Sequence, residues 1–104
     1  MDKSWKKFER DVAELIGGKR AWANSGEESE CEGPTIVAQC KEVKQLSLEA
    51  LTQLAEVAAA QGASKDKLGI VAVKVRRGSG VPSPGLVVMT FEQWSQITGF
   101  LVTR

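Results

Sequence analysis

The architecture of this chain turns on the stretch Pro34-Thr35-Ile36-Val37-Ala38-Gln39-Cys40-Lys41. Small and β-branched apolar residues behind a proline read as a β-strand over Thr35–Lys41. Side chains alternate between faces along a strand, so Gln39 and Lys41 share one face with Val37, while Ala38 and Cys40 take the other. Just upstream lie four acids, Glu27, Glu28, Glu30 and Glu32. A carboxylate, an amide oxygen and an ammonium brought side by side suit a hard metal ion and a phosphate.

Towards the N-terminus, residues 3–16 have helical periodicity. Trp5, Phe8, Val12, Leu15 and Ile16 form an apolar stripe, and Lys6, Lys7, Arg10, Asp11 and Glu14 fill the opposite half. Glu9 falls at the edge of the apolar stripe, beside Trp5 and Ile16. Gly17-Gly18 ends the helix. Residues 19–24 read as a first strand running into a polar loop, Ser25 to Ser29, and Glu30–Gly33 as a hairpin-like return into the Thr35–Lys41 strand. Towards the C-terminus, Ser47 caps a helix to about Gln61, with Leu48, Leu51, Leu54, Ala55 and Ala58 at helical spacing and Gly62 as its stop.

Leu68–Arg76 and Gly85–Thr90 are further strands, joined by a loop rich in Gly, Ser and Pro. Thr90-Phe91-Glu92-Gln93 has the form of a capping box, which predicts a last helix from Phe91 to about Thr98. The expected order is α-β-β-α-β-β-α. That is an α/β domain spanning residues 1–104, with one mixed β-sheet flanked by helices.

The composition narrows the chemistry. With 104 residues, 42% hydrophobic and 26% charged, the chain has the size and balance of one soluble domain. No apolar run approaches the ~18 residues of a membrane span, and Met1 leads into a charged segment rather than a signal peptide. A cytoplasmic protein is the expectation. Cys31 and Cys40 are too few for a disulfide framework and lack zinc-site spacing, so both read as small buried hydrophobes. Histidine is absent, which removes Ser-His and Cys-His catalysis and most catalytic zinc sites. The net charge of +1 hides a segregation. Lys3, Lys6, Lys7, Arg10, Lys19 and Arg20 crowd the start of the chain, and Lys65, Lys67, Lys74, Arg76 and Arg77 form a second basic group, with the acids of 27–32 between them. Such a pattern suits a polyanion held on basic surfaces around an acidic pocket.

These residues, in this order, resemble the PD-(D/E)XK nuclease superfamily, and within it the archaeal-type Holliday junction resolvases, including relatives in phages. Glu9 matches the acid of the family's first helix, Ser25-Gly26 its serine-glycine loop, Glu30 its Asp, and Gln39-Cys40-Lys41 its Glu-X-Lys. Glu32 is a rival for the Glu30 position. Glu30 is one methylene longer than the usual Asp. Gln39 replaces the usual Glu, a recurrent variant found in Mrr-like restriction enzymes, whose motif also often reads Gln-Cys-Lys. An amide oxygen coordinates Mg²⁺ without lending negative charge, so the ion is bound less tightly.

The resemblance implies a restriction-endonuclease-like fold. It also implies a Mg²⁺-dependent endonuclease, with Mn²⁺ as a possible substitute, that cleaves Holliday junctions and leaves 5′-phosphate ends. Glu9, Glu30 and Gln39 would hold the metal, and Lys41 would complete the catalytic set. Ser25, Lys6, Lys7, Arg10, Arg20, Lys44, Arg76 and Arg77 are the expected contacts to branched or duplex DNA. For a phage relative the compartment is the host cytoplasm. Trp22 and Trp94 are expected in the core or at a subunit interface. The apolar tail Phe100-Leu101-Val102 calls for a homodimer, whose paired sites suit a two-fold symmetric junction. Three alternatives stand beside this reading: a related nuclease on flaps, modified DNA or other structures; a catalytically inactive, structure-selective DNA-binding module; and a small α/β interaction protein.

Overall fold

A computed structural model describes residues 3–20, 28–78, 80–82 and 84–102. The elements are α1 (Lys3–Leu15), β1 (Lys19–Arg20), β2 (Glu28–Glu32), β3 (Ile36–Val43), α2 (Leu48–Ala63), β4 (Leu68–Val75), β5 (Gly85–Val88) and α3 (Phe91–Val102). The strands form one sheet in the order β1-β2-β3-β4-β5, of which β1 is only a two-residue pairing at the edge. β3 and β4 run parallel, and the other neighbours are antiparallel. The chain is thus an α/β protein with a mixed sheet and helices on both faces.

One face carries Cys31, Ala38, Cys40, Ile70 and Ala72, and α1 packs on it through Trp5, Val12 and Ala13. The Trp5 and Phe8 rings stack with centroids 5.8 Å apart. On the opposite face Val71 and Val73 meet Ala58 of α2. Both sides of β4 are therefore buried, which is why its sequence is almost unbroken in apolar residues.

The expected order α-β-β-α-β-β-α misses a strand, because Glu28–Glu32 is a full antiparallel partner of β3 rather than a loop and a hairpin return. Its Glu-Ser-Glu-Cys-Glu sequence alternates as a strand should. The pattern is hard to read because the face turned from α1 carries acids in place of apolar residues. The expected strand over 19–24 is seen as Lys19–Arg20, and its remainder lies outside the described residues.

Local chemistry sets the helix ends. At the end of α1, Gly18 N–H bonds to Ala13 O at 2.8 Å and Gly17 N–H to Glu14 O at 3.1 Å. Gly17 has a φ of 69°, so this is a Schellman turn. Ser47 Oγ accepts Ala50 N–H at 3.0 Å and caps α2. Gly62 does not stop α2, which runs to Ala63. Its role is close approach: a Cβ on Gly62 would sit 2.4 Å from the Gly69 nitrogen, and one on Gly69 would sit 1.7 Å from the Ala58 carbonyl oxygen.

Thr90 Oγ1 caps α3 by accepting Gln93 N–H at 3.2 Å. The return half of the expected capping box is not made, because Gln93 turns its side chain into the sheet and is 6% exposed. α3 also continues past Thr98 to Val102. Trp94, expected in the core or at an interface, is 50% exposed in the chain. Among the described residues no helix is long and apolar enough to cross a membrane.

Candidate functional site

The antiparallel register sets Glu30 directly opposite Gln39, and Glu28 opposite Lys41. The parallel register sets Gln39 beside Val71 and Lys41 beside Val73. Glu30, Gln39 and Lys41 therefore all belong to the face on which α2 lies. Gln39 Nε2 donates to Glu30 Oε1 at 3.0 Å, and also to Oε1 of Gln61 near the end of α2. Both amide hydrogens are engaged, and among the described residues the Gln39 carbonyl oxygen accepts nothing.

The turn after α2 closes the arrangement. Lys65 and Lys67 N–H both bond to Gly62 O, at 2.9 and 2.8 Å, and Asp66 between them takes a φ of 57°, a left-handed conformation that Asp tolerates. This folds the turn back over the acidic strand. Lys65 Nζ lies 3.0 Å from Glu30 Oε2 and 3.1 Å from Glu32 Oε1, and Lys67 Nζ pairs with Glu32 Oε2. Hydrogen bonds from Lys67 and then Lys65 hold the Glu32 carboxyl below its ordinary 4.5, against a smaller opposing effect of desolvation. The Lys65 ammonium is held above its ordinary 10.5 by Glu30 first and Glu32 second.

Of the four residues expected to form the core of the site, the structure pairs Glu30 with Gln39 and sets Lys41 two residues along the same face. Glu9 does not join them. It is 4% exposed on α1, which packs against the other face of the sheet, and its backbone carbonyl accepts the Cys31 thiol at 3.6 Å. The edge of the apolar stripe proves to be a buried position. Cys31 and Cys40 are buried on that same face with sulfurs 3.8 Å apart, as small hydrophobes should be. Glu32, the rival for the Glu30 position, is the acid held by two lysines.

The basic residues divide into two groups. Lys6, Lys7, Arg10, Lys44 and Arg77 are exposed, with Lys7 2.9 Å from Asp11 and Arg77 donating to Pro82 O at 3.4 Å. Lys74 and Arg76 instead flank Glu42, at 3.1 and 3.6 Å, where Glu42 is 9% exposed at the end of β3. Their first task is to neutralise a buried acid. Ser25 and Trp22 lie outside the described residues, as does the Arg20 side chain.

Reading the sequence missed Gln61 and Lys65 as site neighbours. The signal was the alternation of Lys65 and Lys67 against that of Glu30 and Glu32, which pairs only once the two segments are known to be adjacent. Comparison with protein-family models, with curated protein sequences and with solved structures gives no match.

Among the described residues no three His, Cys, Asp or Glu side chains converge on one point. The donors at hand are one carboxylate, Glu30, and the amide oxygen of Gln39. That set fits a hydrated Mg²⁺, which keeps several waters and is bound through one or two carboxylates plus a substrate phosphate. It is too sparse for zinc, whose sites draw three or four close ligands from Cys, His and carboxylate side chains.

Proposed function

We propose that this protein is a Mg²⁺-dependent endonuclease of the PD-(D/E)XK type that cleaves branched DNA, in the manner of a Holliday junction resolvase. One observation carries the reading: Glu30 and Gln39 face each other across the β2–β3 ladder within hydrogen-bond distance, with Lys41 two residues along the same face. The family motif needs that juxtaposition of its acid and its X-Lys strand. The reading leaves Glu9 as a buried acid of the α1 side.

Glu30 and the Gln39 carbonyl oxygen would hold the cation, which supplies an acidified water and neutralises charge on the scissile phosphate. Lys41 stabilises negative charge that develops on the phosphate oxygens. Lys44, just past the end of β3, meets the DNA backbone, which fixes position and shape without reading sequence; Lys6, Lys7 and Arg10 stand on α1, across the sheet from Glu30 and Gln39. A homodimer would present two such sites to a two-fold symmetric junction. The products are 5′-phosphate and 3′-hydroxyl ends.

The test is to incubate a labelled mobile four-way junction, a flap and a linear duplex with wild type and Lys41→Ala, with and without Mg²⁺. Metal-dependent cutting of the junction, lost in Lys41→Ala, supports the reading. Equal or better cutting of linear duplex overturns the junction preference.

A second reading is a catalytically inactive, structure-selective DNA-binding module. It is favoured by the ion pair that already neutralises Glu30 through Lys65. It prevails if the protein binds junctions but yields no nicks with Mg²⁺ or Mn²⁺.

A further inference from the structure

The Glu30–Gln39 pair has a third wall that no motif names. Gln61 reaches from the last turn of α2 to Gln39, and Lys65 reaches from the turn that follows to Glu30, so each touches one of the two residues assigned to the cation. Three features set this corner apart from an ordinary surface network. The helix end is fixed tightly to the sheet, because Gly62 packs against Gly69 at a separation that excludes any Cβ. The turn itself is held by two N–H bonds to a single carbonyl, Gly62 O. Lastly, both amide hydrogens of Gln39 are spent on Glu30 and Gln61, which leaves its carbonyl oxygen as the half of the amide that these two partners do not use.

We infer that the α2–β4 corner belongs to the metal site: Gln61 is a positioning residue that holds the Gln39 amide by its nitrogen and so keeps its carbonyl oxygen for the cation, and Lys65 keeps the cation's place on Glu30 until the cation arrives. This rests on the nuclease reading above. The Lys65 ammonium and a divalent ion compete for one carboxylate, so removing Lys65 strengthens ion binding. Removing the Gln61 acceptor releases the Gln39 amide to turn about its terminal bond, and weakens it. A purely structural network would show no such opposition of sign.

The experiment is calorimetric titration of Mg²⁺, and separately of Mn²⁺, into the full chain without DNA. Wild type, Lys65→Met, Gln61→Leu and Gln61→Glu are compared, each first shown to be folded by circular dichroism. Lys65→Met should bind about 1.4- to fivefold tighter, the range that an exposed ion pair spans. Gln61→Leu should bind more weakly, while Gln61→Glu, which keeps an acceptor there, should not. If Lys65→Met does not fold, Lys65→Gln is read in the same way. Wild-type binding that Lys65→Met fails to tighten, or that Gln61→Leu leaves unchanged, overturns this inference alone. No heat from wild type or any variant overturns the metal reading beneath it.

Discussion

The side-chain oxygen of Gln93 accepts the backbone N–H of Gly69 at 2.8 Å, and so extends the hydrogen bonding of β4 past the point where β5 ends. The β4–β5 pairing stops at Val71 opposite Val88, and the chain then turns into α3. Without Gln93, the Gly69 N–H would be a buried donor next to the close contact of α2 and β4. One amide thus ties the last helix to the segment that supports Gln61 and Lys65.

Gln93→Leu leaves that donor unsatisfied and should destabilise the fold by about 1–3 kcal/mol. Gln93→Glu keeps an acceptor and should lose less. Urea unfolding of the two variants beside wild type measures the difference.

Gly69→Ala would place a Cβ 1.7 Å from the Ala58 carbonyl oxygen, far inside contact distance. Backbone cannot yield as a flexible side chain does, so the expected loss is about 3 kcal/mol or more. Gly80→Ala, at a site with open space but a positive φ of 78°, should cost less. Thermal melts of both variants test the ranking.

The lysine–glutamate network gives stability a pH window. Glu32 titrates below its ordinary value in the folded chain, so its contribution is present above about pH 4.5 and fades as pH falls through the lowered value. Lys65 titrates above its ordinary value, so its contribution is present below about pH 10.5 and fades as pH rises through the raised value. Melting temperature should be flat between those limits on account of these groups. Glu32→Gln should make the acid limb shallower, and melts taken from pH 2 to 7 would show it. These pairs face water, so the effect is small and shrinks with salt.

On the proposed nuclease reading, Lys41→Ala should lower the rate of junction cleavage by about 10²–10³-fold, the usual consequence of losing one preorganised donor to developing charge. Its junction affinity should change far less. Single-turnover cutting and gel-shift titration on the same preparation separate the two.

Lys44→Ala should reduce the slope of log affinity against log salt by about 0.9 if its ammonium meets one duplex phosphate. Arg76→Ala should instead lower stability, because Arg76 flanks buried Glu42. Titrations of DNA binding across salt, paired with melts, distinguish a DNA contact from an internal counter-ion.

Much of the fold was legible because it is local. Helical spacing placed α1 and α2, Ser47 and Gly17 placed their ends, and the apolar runs placed β3 and β4. The strand β2 escaped because alternation announces itself through apolar residues, and here the alternating residues are Glu28, Glu30 and Glu32. Gly62 was read as a stop because a glycine that breaks a helix and one that admits a neighbouring backbone look alike in sequence. Gln93 satisfied the pattern of a capping box, yet a buried N–H on Gly69 claimed its side chain.

For the candidate site the division is sharper. Period-two alternation is a property of the chain alone, so the sequence was sufficient to put Gln39 and Lys41 on one face and Cys40 on the other. It could not say which helix covers which face, nor what stands opposite Glu30, because those follow from strand order and register between residues far apart in the chain. The β3–α2–β4 crossover lays α2 over the Gln39 face, bringing Gln61 and Lys65 to the pair. The same packing assigns α1 to the Cys31–Cys40 face and buries Glu9 there.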